Sequence, residues 1–487
     1  VKGKTTVVVE SSPLSRRATE TPLATVLAIA WSADQPWRVG EVAILAEGGE
    51  PQVLCRDEDE AGSQDRVRFF RQRPGTLVPT SPLTATGLSR RQLKVHARKE
   101  GDLGIENIGQ CPLFVNGKRC DRSSIEDGDV IYLRRQLLLL CLRRPALISP
   151  CRHFPRTAYG EFGEADTVGL VGESPAIWRM RETLGFIAEG EVHALIEGAS
   201  GTGKELAARA IHALSSRAKH PFVARNAATL PAGLIDAELF GNVKNYPNPG
   251  MPERPGLVGQ ANDGTLFLDE IAELPHDMQA HLLRVLDADG EYQRLGEGQA
   301  RRANFRLVGA TNRDPGSMKH DLLARLTARL TVPSLAERRE DIPLLLRHLL
   351  LRAAERSPGP AGRFVTRDSE GRAWARVEPS LVEHMLRHDW PTNTRGLDGL
   401  LWQAMSESDG GAVALPAALR SKARPASKPR IERPKEPAVE PTVEQITEQL
   451  KLAGGNIAQA ARALGLSSRF ALHRLMKKHG IERETSS

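Results

Sequence analysis

Residues Gly198-Ala199-Ser200-Gly201-Thr202-Gly203-Lys204-Glu205 have the types and spacing of a phosphate cradle. They lie between an apolar, strand-like run, Val192-His193-Ala194-Leu195-Ile196, and a run with helical spacing, Leu206-Ala207-Ala208-Arg209-Ala210-Ile211. A glycine-rich turn in that setting converges its backbone N–H groups on an anion, and the start of the following helix adds partial positive charge. Lys204 then reaches the β- and γ-phosphates of ATP. The pattern G-x-x-x-x-G-K-[ST] is met except at its last place, where Glu205 removes the hydroxyl that otherwise binds Mg2+. Further along, Leu266-Phe267-Leu268-Asp269-Glu270 reads as an apolar strand ending in two acids. Asp269 at such a strand end holds Mg2+ through water, and Glu270 orients an attacking water. Phosphoryl transfer asks for this positioning and charge neutralisation more than for covalent help.

These residues must be held by elements that the rest of the chain predicts. Its 487 residues make room for about three domains of ordinary size. Residues 1–21 lack periodicity and read as a loose arm. Residues 22–145 alternate short apolar runs (Val39–Leu45, Val67–Phe70, Leu93–Ala97, Leu113–Val115, Val130–Leu133) with turn signals such as Asn116-Gly117 and Asp127-Gly128, the pattern of an all-β sandwich. Residues 146–165 form a linker, and strand and helix patterns then alternate over 166–345 as in a parallel α/β domain. A helical segment over 346–410 follows, then a basic, Pro-rich linker over 411–440 with Lys422, Arg424, Lys428, Arg430 and Arg433, then an all-α unit over 441–487.

Composition excludes several classes. The longest apolar run, Leu137-Leu138-Leu139-Leu140-Cys141-Leu142, is far short of a membrane span and is bracketed by arginines, so no membrane partner is expected. Arg16-Arg17 before Leu23–Ala30 imitates a secretory leader, but Glu20 and Pro22 interrupt it. A net charge of +7 is mild for this length and does not suit a nucleic-acid-coating protein. The five cysteines, all in the first third and without a CxxC pair, support neither a disulfide framework nor a zinc site; reduced thiols and a cytoplasmic location are expected.

Several stretches together resemble the AAA+ ATPase domain of bacterial sigma-54-interacting transcription activators: Leu170–Ser174, Glu238-Leu239-Phe240-Gly241, Gly264–Glu270, Leu282–Leu286, Ala310–Asp314, Glu337–Pro343 and Trp390-Pro391. Glu205 is itself what that family shows after the phosphate-loop lysine. The resemblance spans roughly residues 168–405 and implies roles for matching residues. Gly198 to Glu205 would cradle phosphates, Asp269 would act on Mg2+ and Glu270 on water. Asn226 would restrain Glu270, Asn312 would read the γ-phosphate, and Arg395 would serve as a second sensor. Arg325 would be a finger offered to the neighbouring subunit, with Lys319 beside it, which implies a homo-oligomeric ring, most simply a hexamer.

The chain also departs from that family. After Lys244 it carries Asn245-Tyr246-Pro247-Asn248-Pro249-Gly250-Met251 where the family has the Gly-Ala-Phe-Thr-Gly-Ala loop that touches sigma-54. The prolines exclude a helix there and predict an exposed loop, either re-tuned for its partner or without contact to sigma-54. Lys319 replaces a family arginine and loses its planar fork, so hydrolysis is expected to be slow. Ala336 and Gly396 replace a further Arg and Glu.

Two further resemblances complete the reading. Residues 22–145 resemble a forkhead-associated domain, with Leu54-Cys55-Arg56, Ser89-Arg90-Arg91-Gln92 and Asn116-Gly117 at its motif positions. Arg56, Ser89 and Asn116 would grip the phosphothreonine of a protein modified by a Ser/Thr kinase. Residues 441–482 read as three short helices broken at Gly454-Gly455-Asn456 and Gly465-Leu466-Ser467, and resemble a Fis-type helix-turn-helix. Its third helix would offer Ser468, Arg469, His473, Arg474, Lys477 and Lys478 to DNA at an upstream regulatory site. The expectation is an ATP-dependent DNA-binding regulator of the sigma-54 activator family that senses phosphothreonine and acts on sigma-54 RNA polymerase holoenzyme. Two rivals remain: a sigma-54-independent DNA-binding regulator that binds ATP, and a phospho-signalling adaptor built on the forkhead-associated domain.

Overall fold

A computed structural model describes residues 22–56, 65–98, 102–231, 233–287, 290–420 and 447–449. The chain divides into two units, Val1–Pro425 and Ala426–Ser487. The expected arm over 1–21 and the DNA-reading residues Ser468, Arg469, His473, Arg474, Lys477 and Lys478 lie outside the described residues, and so does the linker beyond residue 420.

The first unit opens with twelve strands: β1 (Leu23–Ser32), β2 (Val42–Leu45), β3 (Gln52–Cys55), β4 (Phe70–Arg73), β5 (Thr76–Pro79), β6 (Arg91–Ala97), β7 (Leu103–Asn107), β8 (Leu113–Val115), β9 (Lys118–Arg119), β10 (Arg122–Ile125), β11 (Val130–Leu133) and β12 (Leu137–Pro145). They form an eight-stranded sheet, β5-β4-β2-β1-β12-β11-β8-β9, facing a four-stranded one, β10-β7-β6-β3. Leu27, Ile29, Leu137, Leu139 and Cys141 point between the sheets, against Leu54, Leu93, Val95 and Ile105. The expected sandwich is therefore present. The expected strand over Val67–Phe70 is displaced: only Phe70 belongs to β4, which continues to Arg73.

β12 differs from an ordinary sandwich strand because both of its faces are buried. Leu138 and Leu140 point away from the sandwich core and join the helical region's core. A bulge at Ala30 shifts the β1–β12 register between Ile29 and Trp31. It puts Ala30 and Trp31 on that same outer face, where the Trp31 indole donates to the Val377 carbonyl at 2.8 Å. The Leu137–Leu142 run is thus a strand covered on two sides, as continuous apolar strands are.

Residues 146–165 are packed rather than free. Phe154 and Ala158 are buried in the core of the next domain, and the Glu182 carboxylate accepts from the Arg152 and His153 N–H groups at 2.9 and 3.1 Å. After them come α1 (Pro175–Glu189), β13 (Ala194–Glu197), α2 (Lys204–Ala213), β14 (Phe222–Asn226), α3 (Ile235–Phe240), α4 (Gly256–Gln260), β15 (Thr265–Asp269), α5 (His276–Asp287), β16 (Glu291–Tyr292), β17 (Arg301–Arg302), β18 (Arg306–Thr311), α6 (His320–Arg325) and β19 (Ala328–Thr331). Five strands make a parallel sheet in the order β14-β15-β18-β13-β19. Helices on its faces bury it, as a parallel sheet requires.

The sheet's entry edge contains a protonation-sensitive contact. Burial, with help from Arg306 and Arg217, lowers the His193 pKa from 6.5 to about 4, and its Nδ1 accepts from the Leu307 N–H at 3.0 Å. The folded state therefore holds this ring neutral while an unfolded chain would protonate it. Its stabilising contribution is full above pH 6.5 and is lost as pH falls from 6.5 towards 4. Comparing denaturant unfolding at pH 7 and pH 4.5, the native chain should lose more stability than His193→Asn, by up to about 3 kcal/mol. Equal losses would contradict this account.

The helical region contains α7 (Ile342–Arg356), α8 (Pro358–Gly362), a hairpin of β20 (Val365–Arg367) and β21 (Ala373–Ala375), α9 (Pro379–Arg387), α10 (Asn393–Glu407) and α11 (Ala417–Arg420). The hairpin was not legible in the sequence; Asp368 ties its turn by accepting from the Glu370 and Arg372 N–H groups and the Trp374 indole. The expected linker boundary at 411 is corrected. Val413 is fully buried and pairs with Val377, Leu415 is buried, and α11 follows, so ordered packing runs to residue 420. Val413, Leu415 and Leu419 all pack on the core of the helical region, which holds this stretch in place.

Candidate nucleotide site

The parallel topology brings the sequence-predicted residues to one edge, the carboxyl ends of the strands, where α/β sheets bind ligands. The Gly198–Gly203 turn leaves β13 and enters α2. Gly201 and Gly203 adopt φ values of +74° and +106°. At Gly201 glycine is obligatory for a second reason, since a Cβ would stand 2.1 Å from the Thr392 carbonyl oxygen. Lys204 is the first residue of α2 and is nearly buried; its Nζ donates to the Gly198 and Ala199 carbonyls at 3.0 and 3.4 Å. The Thr202 hydroxyl donates to the Ala199 carbonyl at 2.9 Å. Glu205 lies on the exposed side of α2, paired with Arg209 at 2.8 Å.

Asp269 ends β15, beside Asn226 at the end of β14. Glu270 follows with φ +52°, a left-handed conformation rare for a residue with a side chain. Its N–H donates to Asp269 Oδ1 at 3.1 Å, and its Oε2 accepts from the Asn312 N–H at 3.3 Å. Glu270 and Asn312 are therefore coupled across two strand ends. The Asn226 carboxamide is used differently from expectation: its Oδ1 caps the next turn by accepting from the Ala228 N–H at 2.9 Å.

Arg395 is the third residue of α10 and donates to Ser200 Oγ at 3.3 Å. Sequence reasoning missed its neighbour Asn393, which is 2% exposed. The Asn393 Nδ2 donates to the Ser200 carbonyl at 3.0 Å and its Oδ1 accepts from the Leu335 N–H at 2.9 Å, while the Thr394 N–H donates to the Gly201 carbonyl at 3.0 Å. The start of α10 is thus fastened to the phosphate loop. Arg325 is exposed and paired with Asp287 at 2.5 Å; the Lys319 N–H caps against Gln279 Oε1 at 2.8 Å.

Beside the loop lies a cleft of about 110 Å³ lined by Leu170, Val171, Thr202, Arg338, Leu345 and His348 among others. The sequence marked Leu170–Ser174 and Glu337–Pro343 but gave no role to either. Asp341, 1% exposed, joins them: its carboxylate accepts from the Glu173 and Ser174 N–H groups at 2.8 and 3.0 Å and from the Ser174 hydroxyl at 2.6 Å. Arg338 is buried, which pushes its guanidinium pKa down, and it donates to the Thr202 carbonyl at 3.4 Å.

The loop after Lys244 is exposed and non-helical, as expected, but it is also braced from beneath. Asn242 is fully buried, and its Nδ2 donates to the Val243, Tyr246 and Pro252 carbonyls at 2.9, 3.2 and 2.9 Å. Asn242 pairs with Arg254 through both backbone bonds, and Arg294 reaches Glu253 at 2.6 Å. Asn242→Ala strips three carbonyls of their donor. Limited proteolysis between residues 243 and 255 should accelerate at least about tenfold in this variant; an unchanged cleavage rate would contradict the brace.

In the sandwich, Arg56 Nη1 donates to the Thr86 carbonyl at 3.0 Å, and the Ser89 hydroxyl accepts from the Gln110 N–H at 2.9 Å. Fully buried Gln92 supports that loop by accepting from the Ser89 N–H at 3.0 Å and donating to Asn107 and to the Cys111 carbonyl. Asn116 does not join them, which corrects the expected three-residue grip. It lies at the far end of β8 from Cys111, roughly 15 Å along an extended chain. Its side chain is spent on Asp129 Oδ1 at 2.7 Å and the Val130 N–H at 3.0 Å, and its carbonyl accepts from Arg387 of α9 at 3.3 Å.

A parallel sheet with a phosphate loop after β13, paired acids after β15 and a helical lid touching the loop defines a P-loop ATPase fold of the AAA+ class. Family comparison agrees: a model described as the sigma-54 interaction domain matches residues 170–335, and one described as the AAA+ ATPase lid domain matches residues 336–432. The chain is 37% identical over 328 residues to the transcriptional regulatory protein ZraR of Escherichia coli strain K12, covering 64% of this chain and 69% of that protein. It is 35% identical over 339 residues to the anaerobic nitric oxide reductase transcription regulator NorR of Aeromonas hydrophila, covering 64% and 63%. A solved structure of NtrX from Brucella abortus in complex with ATP is similar at 30% identity and a TM-score of 0.45, covering 64% of this chain and 70% of that one. The chain belongs to the sigma-54-interacting transcriptional regulators. Among the described residues no helix is long and apolar enough to cross a membrane.

Proposed function

We propose that the protein is an ATP-dependent, DNA-binding transcriptional regulator of the sigma-54 activator family. One observation supports this reading: Lys204, Asp269, Glu270 and Asn312 follow the carboxyl ends of neighbouring strands of one parallel sheet, and Arg395 donates to Ser200 of the phosphate loop. ATP would lie with its phosphates on the Gly198–Lys204 turn and its base towards the cleft beside Leu170 and Arg338. The donor set suits Mg2+, which binds through one or two carboxylates plus phosphate oxygens and would neutralise phosphate charge beside Asp269. Glu270, held to the Asn312 backbone, is placed to orient the attacking water, and a change in the γ-phosphate contacts of Asn312 would move Glu270 directly. Exposed Arg325 would exchange its surface pairing with Asp287 for a neighbouring copy's nucleotide in a ring, a hexamer in the simplest case. Arg56 and Ser89 would read a phosphothreonine, and the carboxy-terminal helices would hold the ring at its DNA site. The test is transcription from a sigma-54 promoter with purified components. RNA synthesis should require this protein and ATP, and should vanish with Glu270→Gln.

The braced loop after Lys244 supports a second reading. A tip locked by Asn242 lacks the freedom of a lever, so the protein would then bind ATP and DNA without remodelling sigma-54. ATP hydrolysis with no sigma-54-dependent transcript would favour it.

A further inference from the structure

The sandwich touches both walls of the base-side cleft. On one wall, Arg73 at the end of β4 grips Glu173 with two nitrogens, Nη2 to Oε1 at 2.6 Å and Nε to Oε2 at 3.1 Å. Its Nη1 also donates to the Gly160 carbonyl at 2.9 Å. Glu173 is 6% exposed and additionally accepts from the Trp178 indole at 3.0 Å and the Gly163 N–H at 2.9 Å. It lies two residues after Val171 of the Gly169-Leu170-Val171 stretch that lines the cleft. On the other wall, Arg144 of β12 donates to Glu340, two residues after the cleft residue Arg338 and one before Asp341. Leu345 lines the cleft too and shares one apolar core with Ala30, Leu138 and Leu140 of the sandwich.

We propose that Arg73 and Arg144 are positioning residues for the nucleotide reaction, supplied from outside the ATPase. Through Glu173 and Glu340 they clamp the two walls of the cleft, so that a docked sandwich slows nucleotide exchange. The inference rests on the nucleotide-site reading above.

The test is stopped-flow release of a fluorescent methylanthraniloyl-ADP from the full chain, chased with unlabelled ADP. The double variant Arg73→Ala/Arg144→Ala should release it at least tenfold faster than the native chain, and Glu340→Gln should approach the Arg144→Ala rate. Hydrogen exchange over residues 169–174 should quicken in parallel. Native release and exchange rates in the double variant would overturn the clamp. Should the double variant fail to fold, the exchanged pair Arg144→Glu/Glu340→Arg decides: restored slow release supports the clamp, and release as fast as in Arg144→Ala overturns it. Lys204→Ala separates this from the underlying reading. If it binds the probe as the native chain does, the nucleotide site itself is misassigned and the clamp falls with it.

Discussion

Replacing Lys204 with alanine should lower affinity for ATP at least about a hundredfold and bring hydrolysis to background. Lys204 is 8% exposed at the first position of α2, with its ammonium folded onto the Gly198 and Ala199 carbonyls, on the concave side of the loop where phosphates would lie. Among the described residues of the loop it is the sole cation, and hydrogen bonds to charged groups contribute about 1.5–3 kcal/mol each. Losing two such bonds to phosphate oxygens accounts for about 3 kcal/mol or more. Titration with a fluorescent ATP analogue, beside a circular dichroism spectrum, measures this. A folded variant within threefold of native affinity would contradict the site.

Asp341→Ala should cost about 3–5 kcal/mol of stability, as much as emptying a large core site. One carboxylate with 1% exposure satisfies two backbone N–H groups and a hydroxyl on the Glu173-Ser174 turn. Alanine leaves those buried donors unpaired, and each unpaired buried group costs about 1–3 kcal/mol. The fit is tight on the far side as well, since a Cβ at Gly172 would lie 2.5 Å from Asp341 Oδ2. Urea unfolding checks the prediction; a loss under about 1 kcal/mol would contradict the assigned role.

The phosphate loop and the paired acids were legible because their chemistry constrains local sequence. Glycines are needed at the positive-φ positions Gly201 and Gly203, and the acids must end a buried strand. What spans long sequence distances was not legible. Nothing near Asn393 marks it as the link between the lid and the Ser200 carbonyl, because that contact depends on how α10 meets β13's loop. Asn116 misled because Asn-Gly is equally the signature of a tight hairpin, and β8–β9 uses it as one. The docking of sandwich on lid left one trace, the unbroken Leu137–Leu142 run. Read as a strand buried on both faces, it would have called for a partner on the outer side of the sheet.

The most direct measurement is trapping. Full-length protein is mixed with ADP, Mg2+, aluminium fluoride and sigma-54 holoenzyme on pre-opened promoter DNA, and complexes are resolved by gel shift. The account predicts a stable complex that requires the transition-state mimic and disappears with Lys204→Ala. Nucleotide binding in the same sample without any such complex would contradict sigma-54 remodelling as the function and leave the sigma-54-independent regulator.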